Sequence, residues 1–95
     1  MGNYRLTEDA KEDLKHIYRY GVITHGEKQA DIYLDALFER FQHIADDPYF
    51  YPSVDYIRQG YRRSICGVDS VFYRVVDDTV EIVAIIGRQD IDNIL

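Results

Sequence analysis

The sequence contains no tryptophan, a single cysteine and two prolines, and each scarcity excludes something. The lone thiol, Cys66, can close no disulfide within the chain, so a reducing compartment is expected. As a nucleophile Cys66 would need a base nearby, and no histidine is close in sequence; a small apolar strand residue is the better reading. No long apolar run is present, which excludes a membrane-spanning helix. The N-terminus lacks the basic-then-apolar pattern of a secretory leader. The expectation is a soluble, cytosolic protein. Positive charge is also scarce, with 11 Lys+Arg against 17 Asp+Glu and a net charge of −6. Such a chain is a poor indiscriminate ligand for nucleic acid, although a local basic patch remains compatible with it. Lysine is absent altogether beyond Phe50.

What is present is informative too. The chain of 95 residues has room for one modest core, so 1–95 is expected to form one domain. A hydrophobic fraction of 46% belongs to a folded protein. Nine tyrosines supply rings with a polar tip, suited to interfaces and half-buried positions. Beyond Phe50 the cations are all arginines, Arg58, Arg62, Arg63, Arg74 and Arg88. Arginine without lysine favours forked hydrogen bonding to carboxylate, phosphate or backbone over diffuse charge. Single strand arginines are as readily solvated surface residues; as a group they suggest a face for a partner.

Tyr4 to Leu6 reads as a short strand leading into a helix. Thr7 is a good N-cap, and Glu8 and Asp9 place acid in the first turn. Ala10, Leu14, Ile17 and Tyr18 then form one helical face. Gly21 and Gly26 are expected to bracket the helix end, with Val22–His25 as loop or frayed turn. A second, clearer helix carries Ala30, Tyr33, Leu34, Leu37, Phe38, Phe41, Ile44 and Ala45 at three- and four-residue spacing. Asp46, Asp47 and Pro48 end it. Two amphipathic helices so closely joined imply an antiparallel hairpin. The core is expected to include Leu34, Leu37, Phe41 and Ile82.

From Pro52 the period changes to two. Strands are expected over Tyr56–Arg58, Tyr61–Cys66, Ser70–Val76 and Thr79–Ile86, with turns at Gly67–Asp69 and Asp77-Asp78. In the last strand, alternation groups Val83 and Ile85 with Glu81 on one face, and Val80, Ile82, Ala84 and Ile86 on the other. Both faces are therefore apolar enough to want cover, one by the helical hairpin and the other by a partner or the C-terminal segment. That segment, from Gly87, ends in Ile94-Leu95.

Taken in order, Tyr4-Arg5-Leu6-Thr7, Ala10, Asp13-Leu14, Ile17, Tyr20, Gln29-Ala30, Tyr33-Leu34 and Ile44-Ala45-Asp46-Asp47-Pro48 resemble the ParE branch of the RelE/ParE superfamily of bacterial toxins. Gly60-Tyr61-Arg62-Arg63, Val71-Phe72-Tyr73-Arg74 and Val80-Glu81-Ile82-Val83-Ala84-Ile85 extend the resemblance over nearly the whole chain. It implies an α+β fold in which a helical hairpin packs on a twisted antiparallel sheet. It also implies the toxin of a type II toxin–antitoxin module, aimed at DNA gyrase through its GyrA subunit and neutralised by a ParD-like antitoxin. RelE-like members instead cut messenger RNA on the ribosome. Nuclease members hold phosphate with an arginine just before the Phe/Val-Tyr pair of the middle strand, where this chain has Ser70. Many also carry a His-Tyr or similar pair after the last strand, where this chain has Arg88-Gln89.

Cutting RNA at its 2′-hydroxyl needs a base, cations for the phosphate and an acid for the leaving oxygen. His16, His25 and His43 all fall in the hairpin, and no pair is spaced as a metal site with a second ligand set. The expectation is therefore no catalytic residue, no metal, no cofactor and no sequence-specific nucleic-acid binding. Arg58, Arg62, Arg63, Arg74 and Tyr73 are the candidate antitoxin contacts; Arg88, Ile94 and Leu95 are the candidate target contacts. The alternative, a ribosome-dependent endonuclease, would hold phosphate on Arg62, Arg63, Arg74 and Arg88 and use Tyr61 or Tyr73 as general acid.

Overall fold

The computed structural model describes residues 2–87. Six elements follow one another: β1 (Asn3–Leu6), α1 (Glu8–His25), α2 (Glu27–Asp46), β2 (Arg62–Cys66), β3 (Asp69–Val76) and β4 (Thr79–Gly87). Thr7 starts α1 as expected, its Oγ1 accepting the Ala10 amide at 3.1 Å. The same residue ties the helix to the sheet. Its amide donates to the Ile82 carbonyl at 3.0 Å, and its hydroxyl donates to the Val83 carbonyl at 3.0 Å.

The expected loop at Val22–His25 is not there; α1 runs through Gly21 to His25. Gly21 is a packing residue rather than a breaker. A Cβ placed on it would come within 3.3 Å of the Ala30 Cβ, so its absence lets α1 and α2 approach. The whole connection is Gly26, at a φ of 92° that favours glycine. In α2 the apolar stripe behaves as its spacing requires. Leu37, Phe41, Ile44 and Ala45 are buried, and Leu34 lies at the edge of the core, only partly covered.

The sheet order is β1-β4-β3-β2. The β2–β3 and β3–β4 pairs are antiparallel, but β1 lies parallel to β4. The sheet is thus mixed, not antiparallel throughout. The helical hairpin is the crossover that a parallel pair requires. Gly67 and Val68 turn β2 into β3. Asp77 and Asp78, at φ 51° and 63°, make the tight turn into β4, the left-handed pair that suits strand twist.

The alternation expected for β4 fails at one place. Tyr73 pairs with Ile82 but Phe72 pairs with Ala84, so Val83 is an extra residue. Beyond this bulge the phase reverses, and Ile85 joins Val80 and Ile82 in the core instead of sharing a face with Glu81. The shift is held from α1. The Asp13 carboxylate accepts the Ile85 amide at 2.9 Å. Burial pushes the Asp13 carboxyl up, and the bond from Ile85 opposes that shift.

Tyr56–Arg58 is not a strand. The Val54 carbonyl accepts the amides of Ile57 (2.8 Å) and Arg58 (3.0 Å), folding the segment into a turn. Asp55 Oδ1 accepts the Gly60 amide at 2.7 Å and closes it. Between hairpin and sheet, the core centres on Leu37, Phe41, Ile44, Val71, Tyr73, Val80 and Ile82, all fully buried or nearly so. The Phe41 ring meets Tyr4 and Phe38 edge-on, at centroid distances of 5.7 and 5.6 Å. Burying side chains of this size stabilises by roughly 1.5–3 kcal/mol each. No helix among the described residues is long and apolar enough to cross a membrane.

Candidate binding surface

The arginines do not share one face. Arg74 pairs across the ladder with Glu81, and Glu81 with Arg5. Arg74 Nε donates to Glu81 Oε1 at 2.8 Å and Arg5 Nε to Oε2 at 3.1 Å. The Glu81 side chain is only 13% exposed. Arg74's hydrogen bond, then Arg5's, hold its carboxyl below the ordinary value. The same bond raises the Arg74 guanidinium. The charge of Arg74 is thus already met within the molecule.

Arg62 pairs with Tyr73 and so lies on the helix side of β2. Its Nη1 donates to the Tyr51 carbonyl at 2.7 Å, and its guanidinium lies 5.1 Å from the centroid of the Tyr49 ring. Arg58 belongs to the turn and stands 5.8 Å from the Tyr61 ring centroid. Arg63, paired with Phe72, is half-buried on the opposite face of β2. A fourth cation not singled out from the sequence, Arg40 of α2, joins the group. It donates to Ser64 Oγ at 2.9 Å and to the Ile65 carbonyl, and lies 5.9 Å from the Tyr51 ring centroid. Among the described residues Arg40, Arg58, Arg62 and Arg63 make no salt bridge.

Tyr73 is not on a surface at all. It is fully buried, and its hydroxyl donates to the Pro48 carbonyl. Burial pushes that hydroxyl well above the usual tyrosine range, making it a weaker acid than an exposed tyrosine. Its role is to fix the start of the 47–61 segment from beneath. Val54, itself buried, fixes the middle by donating its amide to the Tyr61 carbonyl at 2.8 Å. Yet Tyr49, Phe50 and Tyr56 of this segment are 65, 74 and 78% exposed. Sequence reasoning passed over Tyr49 and Phe50 and placed Tyr56 in a strand, although Tyr49, Phe50 and Tyr51, three aromatics in a row directly after Pro48, are a visible signal.

A second feature opens between the hairpin and the β2–β3 turn. It is a groove of about 920 Å³, lined by Tyr18, Tyr20, Ala30, Tyr33, Leu34 and Asp69 among others. Tyr33 donates its hydroxyl to Asp69 Oδ2 at 2.6 Å and sits 2.9 Å from the Cys66 carbonyl oxygen. Burial, then Asp69, push that hydroxyl well up. Cys66 is buried, and burial raises its thiol away from nucleophilic use. His16 and His25 also line the groove, while His43 points outward, 4.0 Å from Glu39. Among the described residues no three His, Cys, Asp or Glu side chains gather as a metal site. Arg88, Ile94 and Leu95 lie outside the described residues.

Known proteins resemble the chain in sequence and in shape. The family described as "ParE toxin of type II toxin-antitoxin system, parDE" matches residues 4–92. Toxin ParE1 of Caulobacter vibrioides is 39% identical over 75 residues, covering 79% of this chain and 78% of that protein. Toxin ParE1 of Mycobacterium tuberculosis is 32% identical over 91 residues, 94% of this chain and 93% of that one. In shape, a chain of the chromosomal ParDE toxin–antitoxin system of P. aeruginosa matches with a TM-score of 0.79 at 22% identity, over 92% of this chain and 96% of that one. A chain of the toxin–antitoxin complex RelBE2 of Mycobacterium tuberculosis matches with a TM-score of 0.64, also at 22% identity, over 92% and 98%. The family match over residues 4–92 and the two relatives above 30% identity make this chain a member of the ParE toxin family of type II toxin–antitoxin systems.

Proposed function

We propose that this ParE-family toxin acts in the cytoplasm by binding, with the GyrA subunit of DNA gyrase as its target and a ParD-like antitoxin as its neutralising partner. One observation carries the preference for binding over cleavage. The guanidinium groups near β2 are held by carbonyls and rings, while Tyr73, one of the two tyrosines the endonuclease reading would use as an acid, is sealed under Pro48. The loss of that candidate acid favours recognition over strand scission. The names of the ParDE and RelBE2 structures, both toxin–antitoxin assemblies, support an antitoxin partner.

Two surfaces suit such a partner. The groove beside Tyr33 and Leu34 fits an amphipathic helix. Arg58, Arg62 and Arg63 suit a segment bearing carboxylates, with Arg74 a weaker contributor because Glu81 already holds it. The segment carrying Arg88, Ile94 and Leu95 is the proposed contact for gyrase. The deciding experiment is DNA supercoiling by purified gyrase with and without this protein, beside a ribosome-dependent messenger RNA cleavage assay. Inhibited supercoiling with intact message is the expected result. Cleaved message with unaffected supercoiling would move the chain to the endonuclease reading.

A further inference from the structure

From the 47–61 segment and the arginines beside it, we infer a site for single-stranded nucleic acid, bound through phosphates and stacked bases without sequence preference. The inference rests on local geometry and not on the choice of gyrase as target.

Three observations converge. The first is charge. In a protein of net charge −6, Arg40, Arg58 and Arg62 lie against rings of one segment, Tyr51, Tyr61 and Tyr49 in turn, with no carboxylate bonded to any of them among the described residues. Elsewhere the molecule does neutralise its arginines, as Glu81 shows for Arg5 and Arg74. The second is the exposed rings. Tyr49, Phe50 and Tyr56 are the most exposed aromatics of the chain apart from Tyr20; Tyr49 stands 5.1 Å from the Arg62 guanidinium, and Phe50 and Tyr56 belong to the same segment. A polyanion that also offers flat π-faces matches both features; an acidic peptide matches only the first. The third is preorganisation. The segment is pinned by Tyr73 to Pro48, Arg62 to Tyr51, Val54 to Tyr61 and Asp55 to Gly60. Rings held in water by a fixed backbone lose little freedom on binding. Arg62 and Arg58, packed on Tyr49 and Tyr61, are likewise restrained before a phosphate arrives.

Duplex DNA offers no unpaired base to stack, so it is the weaker ligand for this surface. DNA and RNA single strands share the recognised chemistry, and separate arms of one experiment tell them apart. A fluorescein-labelled oligothymidylate, an oligouridylate of equal length, a duplex and a polyglutamate peptide are titrated with the purified full chain by anisotropy across a salt series. Single strands are expected to bind with a dissociation constant on the order of 10⁻⁵ M, more tightly than duplex or peptide. Tyr56→Ala and Phe50→Ala should each weaken that binding about tenfold. Arg58→Ala should lower the salt slope by about 0.7. Lys15→Ala, a cation of α1 paired with Glu12, serves as the charge control and should change neither. Circular dichroism verifies that each variant is folded. Tighter binding of polyglutamate, equal binding of duplex, no binding of either strand, or affinities unmoved by Tyr56→Ala and Phe50→Ala would each overturn the inference.

Discussion

Two neighbouring regions of this molecule are built from the same residue types and end in opposite states. Under the helical hairpin, Tyr4, Phe41 and Tyr73 are packed ring against ring or sealed entirely, and the Tyr73 hydroxyl has its own acceptor. In the 47–61 segment, which Tyr73 itself anchors, Tyr49, Phe50 and Tyr56 stand in water, Tyr49 beside Arg62, which is bonded to the Tyr51 carbonyl. The arginines divide the same way, with Arg5 and Arg74 closed on Glu81, and Arg58 and Arg62 in no salt bridge among the described residues. Composition alone therefore does not tell core from recognition surface. The presence of an internal partner for each polar group does.

The contrast can be broken most sharply from the core. Phe41→Ala should cost about 3–5 kcal/mol, because the ring is fully buried and its removal leaves a cavity beneath α2. Urea unfolding measures this, and a midpoint near wild type would mean that Phe41 is not where the stability lies. Tyr73→Phe comes next. It keeps the ring but strands the Pro48 carbonyl, for a loss of about 1–3 kcal/mol. Growth arrest on expression should persist in this variant, since no chemistry is asked of the hydroxyl; abolished arrest in a folded variant would point to catalysis.

Glu81→Gln tests the closed arginines by pH. The folded-state carboxyl of Glu81 lies below its ordinary 4.5. Its contribution is therefore present above that value and lost as pH falls through the lower folded value. Acid titration of thermal stability should show the wild type falling more steeply over that range than Glu81→Gln, and parallel curves would leave the Arg5–Glu81–Arg74 set without consequence. The smallest stability effect is expected on the open side. Tyr56→Ala should stay within about 0.5 kcal/mol of wild type by urea unfolding. A larger loss would show that the exposed ring is structural after all.

Much of this architecture could be read from short-range signals. Thr7 with Glu8 and Asp9, the α2 stripe from Ala30 to Ala45, and the Asp77-Asp78 turn each act within a few residues of themselves, and each appears where the pattern puts it. What went unread depends on distant partners. Nothing local to Asn3–Leu6 says that it will lie parallel to β4. Gly21 looks like a helix end until Ala30 is seen against it. The bulge at Val83 is invisible in an apolar run and reassigns Ile85 to the core. For the site, the arginines were found as a chemical set, but their division into quenched and available members followed from strand register and from the turn that replaced the expected Tyr56–Arg58 strand.

The parallel pairing of β1 with β4 also orders events in time. Arg5 and Glu81 are 76 residues apart in the chain, so the first strand waits for nearly everything between them to be made. Closing that long loop is entropically slow compared with forming either hairpin. During synthesis the helical hairpin precedes the sheet it will cover, and β1 has no partner until β4 emerges. The edge of β4 that β1 later occupies is then briefly open to strands from other molecules. A toxin wired in this way is assembled late, and a tag that delays β1 should lengthen the interval in which nascent chains meet one another before they are complete.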